Sequence, residues 1–555
     1  HYISVCPFTP YTNELMLPQL SELIEGYEPD GFFFDTMGAL RPCYCDCCKR
    51  DFEAATGKEI PVDLDDSLQA TYGQFRHDRG HELLGRVGSY VQDGLPDAKV
   101  GFNQIGSLPN PEPLPDGVTD LTLDPPTYGP QISTTSLNAA FGSTADVTAD
   151  VMPTIFNLGW GDWSPSPDQL LEQVSTTAWV RNARLYMGDR LHPKNRLDRR
   201  TRHALSVLSN LHDSLEAEMP PEGTAMAPDI LVLHGTSVTY GTDMSRYQNW
   251  NVRNAIDGTL GGAHRLLLDA GANFTVVGEC YLRNWIDRAG LLVIPEMVAI
   301  EPETESALLG FVEKGGNLLV VGSAPTVDGK PLDWLGVEPL DDPWQDHIYL
   351  PPWEDEPEVL VRSDFHKGAL AGARMVCPAT PAWDARHGHL YGWGIGPACD
   401  EPSEFPVLTC NTVGDGCAWS LRVSLFSDYA QQGTWPQAGW FSGMLDRMGF
   451  RRRAYLDSPW GRIELVVYAD ERTTWSALVH HAGEEVIGIA GEKTWARSVG
   501  PLPRMEVTLH VDAGDRRPAG VTMRGQAVDH EVVEEEVIVP VSMDCVWRIV
   551  RVDWE

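Results

Sequence analysis

The sequence is short of lysine, of positive charge and of long apolar runs. Only eight of its 42 basic residues are Lys, and 79 acidic residues leave a net charge of −37. A surface of that sign repels phosphate, so nucleic acid and anionic membranes are poor partners. No uninterrupted apolar run approaches the roughly 20 residues of a membrane helix, which excludes a bilayer span of that kind. Neither an initiating Met nor the charged and apolar segments of a signal peptide stand at the start, where the chain opens on His1-Tyr2. Internal repeats and low-complexity stretches are missing as well.

What is present is 555 residues, 42% of them hydrophobic. At roughly 100–200 residues per domain this implies about three domains, each large enough to bury its own core. Eleven Cys is an odd number, and four of them crowd into Cys43–Cys48. That suits reduced thiols or a metal better than a disulfide framework and points to a cytoplasmic setting.

Residues 1–218 alternate strand and helix signals, which predicts a parallel sheet of (β/α)₈ type. Tyr2–Val5 opens as a strand, and Leu17, Leu20, Ile24 and Tyr27 follow at helical spacing. Gly31–Phe34 is a short apolar run that suits a strand buried on both faces. Leu68, Tyr72, Phe75, Leu83, Val87 and Val91 then share one face of a longer helix stopped by Gly94. Lys99–Ile105, Leu121–Leu123, Val151–Asn157 and Arg184–Met187 read as strands, with helices at Pro167–Asn182 and Asp198–Ala217. About six strands can be counted rather than eight, and the expectation is that the first units of the barrel are missing from this chain. Met219–Glu222 reads as a linker. Residues 225–452 show a second α/β pattern, with strands at Ile230–Leu233, Leu291–Ile294 and Asn317–Val321 and a helix at Glu303–Lys314. Residues 455–555 carry alternating β runs that predict a small β-sandwich.

Polar groups just past strand ends are the candidates for chemistry, because a barrel builds its active site from those ends. Asp35, Asn103, Asp124, Asp162 and Asp189 hold such positions. Asp35 suits a nucleophile, with an Asp that caps the following loop as the alternative. Asp162 and Asp189 lead as its acid/base partner. Asn103, Asp124 and Glu172 are further substrate-binding candidates, and Glu172 either points into the site or is an ordinary helix charge. Trp160 and Trp163 suit a flat platform for a ligand or core filling. His192, with Asp189, suits holding a ligand's polar groups, or Asp189 caps its own turn.

Cys43, Cys45 and Cys48 have C-x-C-x-x-C spacing, and three thiolates that close converge readily on one tetrahedral Zn²⁺. Cys6, at the end of the preceding strand, is the expected fourth ligand. Such a closed site would be structural, leaving catalysis without a cofactor; the alternative is a set of free buried thiols. His387-Gly388-His389 and His480-His481 lack Cys or carboxylate partners at useful spacing and read as solvated loop histidines.

The Tyr2 to Pro7 stretch and Cys43–Cys48 resemble the zinc-binding segments of glycoside hydrolase family 42 β-galactosidases. The order of barrel, flavodoxin-like middle domain and β-sandwich is also theirs, and their middle domain is a trimerisation domain. The resemblance implies a trimer, with a dimer as the other homo-oligomer. It breaks at the strand between the cysteine segments, where family 42 carries Asn-Glu and this chain reads Asp30-Gly31-Phe32-Phe33-Phe34-Asp35. That segment resembles α-L-fucosidases instead, in which an Asp ending this strand is the nucleophile. Gly159-Trp160-Gly161-Asp162 and Gly188-Asp189 through Leu191-His192-Pro193 resemble the hypothetical glycosyl hydrolase barrels akin to fucosidase families 29 and 151. The implied activity is retaining exo-hydrolysis of a glycoside, α-L-fucoside first and β-galactoside second. A non-catalytic carbohydrate-binding or assembly protein on a degenerate barrel is the rival from another class. The middle domain also resembles class I glutamine amidotransferases. Cys280 lacks the Gly-rich elbow of their nucleophile, however, and no His-x-Glu follows it.

Overall fold

The computed structural model describes residues 5–35, 37, 42–63, 67–104, 111–125, 131–156, 163–190, 192–240, 249–340, 347–353, 357–382, 399–457, 462–488 and 495–555. Its first layer is a parallel sheet of five strands in sequential order: β1 (Gly31–Phe34), β2 (Lys99–Gln104), β3 (Asp120–Leu123), β4 (Thr148–Val151) and β5 (Arg184–Leu185). The helices on its outer side are α1 (Leu17–Tyr27), α2 (Asp46–Thr56), α3 (Gln69–Gly94), α4 (Gln131–Gly142), α5 (Asp168–Trp179) and α6 (Arg199–Glu216). Helix α1 starts with Pro18 in its first turn, where a missing N–H costs nothing, and buries Leu20 and Ile24. The side chain of Asp198 caps α6 by accepting from the Thr201 N–H at 2.9 Å. Gly31 admits the close approach of β1 to β2, since a Cβ there would lie 2.7 Å from the Lys99 carbonyl oxygen.

The sheet is curled as a barrel is. β1 and β5 are its two edges, and adjacent strands are spaced by about 4.8 Å. Even so, the Phe33 ring of β1 meets Tyr186, just past β5, edge to face at 5.6 Å. The expectation of a β1 buried on both faces fails at Phe33, which is 43% exposed. Among the described residues β1 has a strand on one side only, β2. Expected strand Tyr2–Val5 lies outside the described residues except for exposed Val5. The strand expected at Val151–Asn157 ends at Val151 instead, and the following stretch is held by isolated bridges from Thr154 to Gly188 and Phe156 to Pro165. Pro153 and Pro165 help explain why regular pairing stops there.

The second layer is a seven-stranded sheet in the order 374–378, 406–413, 416–421, β9 (Asn317–Val321), β8 (Leu291–Ile294), β6 (Ile230–His234) and β7 (Phe274–Gly278). Its five strands from 416–421 to β7 run parallel and are mostly apolar, as suits strands covered on both faces. The chain closes in two antiparallel sheets, one of 454–457, 505–512, 536–543 and 531–533, the other of 463–469, 473–480, 547–554, 518–523 and 526–527. Leu465, Val467, Leu509, Val539 and Val552 interlock between them in one apolar core.

The three parts share more than linkers. Leu137 and Phe141 of α4, Phe274 of β7 and Tyr468 of the C-terminal sheets belong to a single buried cluster. At its centre Glu464, fully buried, accepts from Arg181 Nε at 2.5 Å, Ser136 Oγ at 2.7 Å and His481 Nε2 at 2.7 Å. His264 Nε2 lies 2.8 Å from the same Ser136 oxygen. His480 and His481 are therefore not solvated loop histidines. His480 is fully buried against the Pro503 carbonyl, and His481 is hydrogen-bonded to Glu464. His387 and His389 lie outside the described residues.

Candidate active site

Strands β1, β2 and β3 run parallel and in register, Phe34 beside Phe102 and Asn103 beside Thr122. This places Asp35, Asn103 and Asp124 side by side at their C-terminal ends. Asn103 points inward and is 6% exposed. Its Nδ2 donates to Asp35 Oδ1 at 2.8 Å and to Asp124 Oδ2 at 3.4 Å. One amide nitrogen thus holds an oxygen of each carboxylate within two hydrogen-bond lengths of the other. The Asn103 Oδ1 is buried and has no hydrogen-bond partner among the described residues.

The two carboxylates differ in surroundings. Asp35 is exposed at the mouth of the site. Burial pushes the Asp124 carboxyl up to about 6; the Asn103 bond pulls it back and the Asp35 charge adds to the rise. Among the described residues no Arg, Lys or His touches either one. Pairing a solvated carboxylate with a desolvated one that holds its proton to higher pH than an ordinary carboxyl is how one site supplies both a nucleophile and an acid.

Around β5 stands a second group. Asp189 is bound by Arg200 Nη2 at 2.5 Å, by Thr201 Oγ1 at 2.7 Å and by the Arg190 N–H at 2.7 Å, so both of its oxygens are occupied. Arg200 lies 5.0 Å over the Trp163 ring, and His192 meets that ring edge to face at 6.1 Å. Trp163 is 41% exposed and presents a flat apolar face at the same end of the sheet as Asp35. Glu172 sits half-buried on α5 and is raised above its ordinary value by burial and by Asp168. Trp160 and Asp162 lie outside the described residues. Arg200 was not legible as a site residue, since one of several basic residues at a helix start gives no signal for stacking on a tryptophan five residues before the preceding helix.

The cysteines converge. The sulfurs of Cys6, Cys43, Cys45 and Cys48 all lie within 4.8 Å of one another, and Cys6 and Cys48 are 3.5 Å apart. A tetrahedral ion with metal–sulfur bonds of about 2.3 Å needs sulfurs roughly 3.8 Å apart, so the group fits a metal. Tyr72 fixes the loop, its hydroxyl donating to the Cys43 carbonyl at 2.7 Å and accepting from the Cys43 N–H at 2.9 Å. Burial raises the Cys6 thiol to about 11 and raises Cys48 further. At Cys45 burial is outweighed by the Cys48 N–H and the neighbouring thiols, which bring it to about 7. Cys47 remains outside the group.

In the middle layer Cys280 follows β7, and burial lifts its thiol to about 11, which leaves a poor nucleophile. Buried Glu296 is raised to about 7, but its Oε1 accepts from the N–H groups of Phe426 and Ser427 at 2.9 and 3.1 Å, capping the helix 425–432. Neither residue forms a site.

Comparison with known proteins agrees with this architecture. No protein-family model matches the chain, and no curated protein matches it in sequence. Among solved structures, α-L-fucosidase isoenzyme 2 from Paenibacillus thiaminolyticus aligns with a TM-score of 0.76 and 17% identity, over 100% of this chain and 82% of that one. A β-galactosidase from Bacillus circulans sp. alkalophilus gives 0.64 and 13% over 99% and 83%. The polyextremophilic β-galactosidase from the Antarctic haloarchaeon Halorubrum lacusprofundi gives 0.63 and 14% over 98% and 85%. At these identities the likeness establishes a shared fold: this chain has the α/β architecture of these structures from end to end. Among the described residues, no helix is long and apolar enough to cross a membrane.

Proposed function

We propose that this protein is a retaining exo-glycoside hydrolase, with Asp35 as nucleophile and Asp124 as acid/base. The observation that carries this is the Asn103 amide shared between a solvated Asp35 and a desolvated Asp124 at the C-terminal ends of adjacent strands. Retaining enzymes need carboxyl groups about 5–5.5 Å apart, and inverting ones roughly 6.5–9.5 Å. Two oxygens on one nitrogen favour the shorter separation. Asp35 attacks the anomeric carbon while Asp124 protonates the departing oxygen; Asp124 then takes a proton from water, which releases the sugar from Asp35. Trp163 and His192 offer a sugar-binding wall. Asp189, committed to Arg200 and Thr201, positions that wall, and Asp162 remains a rival for the acid.

α-L-Fucoside is the leading substrate, supported by the fold shared with a fucosidase and by Asp35 at the end of its strand; β-galactoside is second. The cysteine group would hold a structural Zn²⁺ that orders the loop between β1 and α2, with no part in bond cleavage; native mass spectrometry without one bound zinc per chain would refute this. We place the protein in the cytoplasm as a homo-oligomer acting on carbohydrate, without nucleic-acid or membrane partners. Size-exclusion chromatography with light scattering showing a monomer would remove the oligomer. A hydrolysis screen on aryl glycosides, α-L-fucoside and β-D-galactoside included, tests the central reading. Turnover of one sugar that collapses by orders of magnitude in Asp35→Asn supports it. Equal rates in both proteins remove Asp35, and silence across the panel favours a binding role.

A further inference from the structure

Two arginine-rich stretches, Arg451–Arg453 and Arg516-Arg517, interrupt an otherwise acidic sequence, and the fold brings them together. A cavity of about 530 Å³ lies between the seven-stranded sheet and the C-terminal β layers, far along the chain from Asp35. Arg288, Arg451, Arg453 and Arg516 are among the residues that line it. Two of them are matched. Arg451 pairs with Asp512, and Arg453 Nη1 lies 3.2 Å from buried Asp229.

The other two touch no carboxylate among the described residues. Arg288 lies 4.3 Å over the Trp285 ring, and Arg516 lies 4.2 Å over that of Trp554. Arg516 also donates to the carbonyls of Ala513 and Asp512, at 3.2 and 3.3 Å. An indole face fixes the plane of a guanidinium and leaves an edge of N–H donors, the shape that grips a carboxylate or phosphate. Burial holds Arg516 below its ordinary value, with the Asp512 charge opposing the shift and the Arg451 charge adding to it. The wall also carries acceptors. Asp470 is turned toward the N–H groups of Arg472 and Thr473, at 2.8 Å each, while Asp287 has no partner among the described residues.

We propose that this cavity binds an anionic sugar, its oxyanion held between Arg288 and Arg516 and a hydroxyl donating to Asp287. The donors that Arg288 and Arg516 have left, beside a carboxylate unpaired among the described residues, suit a molecule with one acidic group and several hydroxyls, a uronate or a sugar phosphate. The volume is that of a small-ligand pocket. Arg288 belongs to the middle layer and Arg516 to the β layers, so the ligand would join the two. This site is independent of the hydrolytic reading and stands or falls without it.

Calorimetric titration of the full chain with glucuronate and with glucose 6-phosphate tests it, with glucose and inorganic phosphate as controls. Binding of either acidic sugar, weakened by added salt and by about tenfold or more in both Arg288→Met and Arg516→Met, is the expected result. Which of the two binds tells carboxylate from phosphate. Glucose binding as tightly as the acidic sugars, or phosphate as tightly as glucose 6-phosphate, overturns the proposal. So does unchanged affinity in both variants, or no binding of either acidic sugar.

Discussion

Asp124 and Glu464 are both carboxylates drawn away from water, and both share a hydrogen-bond donor with a second side chain, yet their surroundings drive them in opposite directions. Glu464 has a bond on each oxygen, two of them from Arg181 and His481, and these partners hold it well below the usual carboxylate range against the pull of burial. Asp124 has one long bond from a neutral amide and a like charge beside it, and it rises to about 6. Satisfied charge makes a structural key; charge left without a counter-ion makes a group able to move a proton. That contrast locates the chemistry more sharply than depth of burial does, since Glu464 is the more deeply buried of the two.

The largest expected effect comes from breaking the active half of the pair. Asp124→Asn should lower kcat by about 10²–10⁴-fold on aryl glycosides with poor leaving groups, and far less on activated ones that need no proton. Comparable losses across all leaving groups would show that Asp124 is not the acid. Breaking the structural half should do the reverse. Glu464→Gln orphans Arg181 inside the junction and should cost about 3–5 kcal/mol of stability in urea denaturation, with kcat of the remaining folded protein unchanged.

Acid sharpens the comparison. Burial lowers the imidazole of His264 to about 3. In the unfolded chain the same group takes a proton as pH falls through about 6.5. Between those values the unfolded state binds more protons, so stability falls as pH falls. Glu464 adds a loss of the same sign below the ordinary Glu range. His264→Gln should flatten the drop in urea midpoint between pH 7 and 5; an unaltered slope would mean the imidazole is already charged in the fold. The smallest effect belongs to Asn103. Its bond draws Asp124 downward, so Asn103→Leu should move the alkaline limb of kcat/KM upward by a fraction of a pH unit, on top of any general loss. A limb that stays put would uncouple the amide from the acid.

Much of this was legible in the sequence, for reasons that particular elements make plain. Helix α3 announced itself through Tyr72, Leu83, Val87 and Val91 and its Gly94 stop, because one apolar face on a long helix leaves little choice. β8 and β9 stood out as uniform apolar runs. β7 did not, since Phe274–Gly278 follows the helix 249–269 after only a short turn and merges with it in pattern. The strand expected at Val151–Asn157 was misplaced by its apolar residues, which serve bridges rather than a ladder. The spacing of Cys43, Cys45 and Cys48 foretold a convergent group, and the structure brings Cys6 to it. Asp35, Asn103 and Asp124 could be named one by one from strand ends. Their union could not, because register between β1, β2 and β3 decides it, and no single strand carries that information. The buried roles of His480 and His481 were hidden for the same reason: their partners come from elsewhere in the fold.

The most direct test of the central claim is covalent. A 2-deoxy-2-fluoro glycoside of the sugar that the aryl screen identifies, carrying a good leaving group, should accumulate on the nucleophile of a retaining enzyme. Peptide mapping by mass spectrometry is expected to place one sugar on Asp35. A label on another carboxylate, or none on a protein that turns the parent sugar over, would contradict the account.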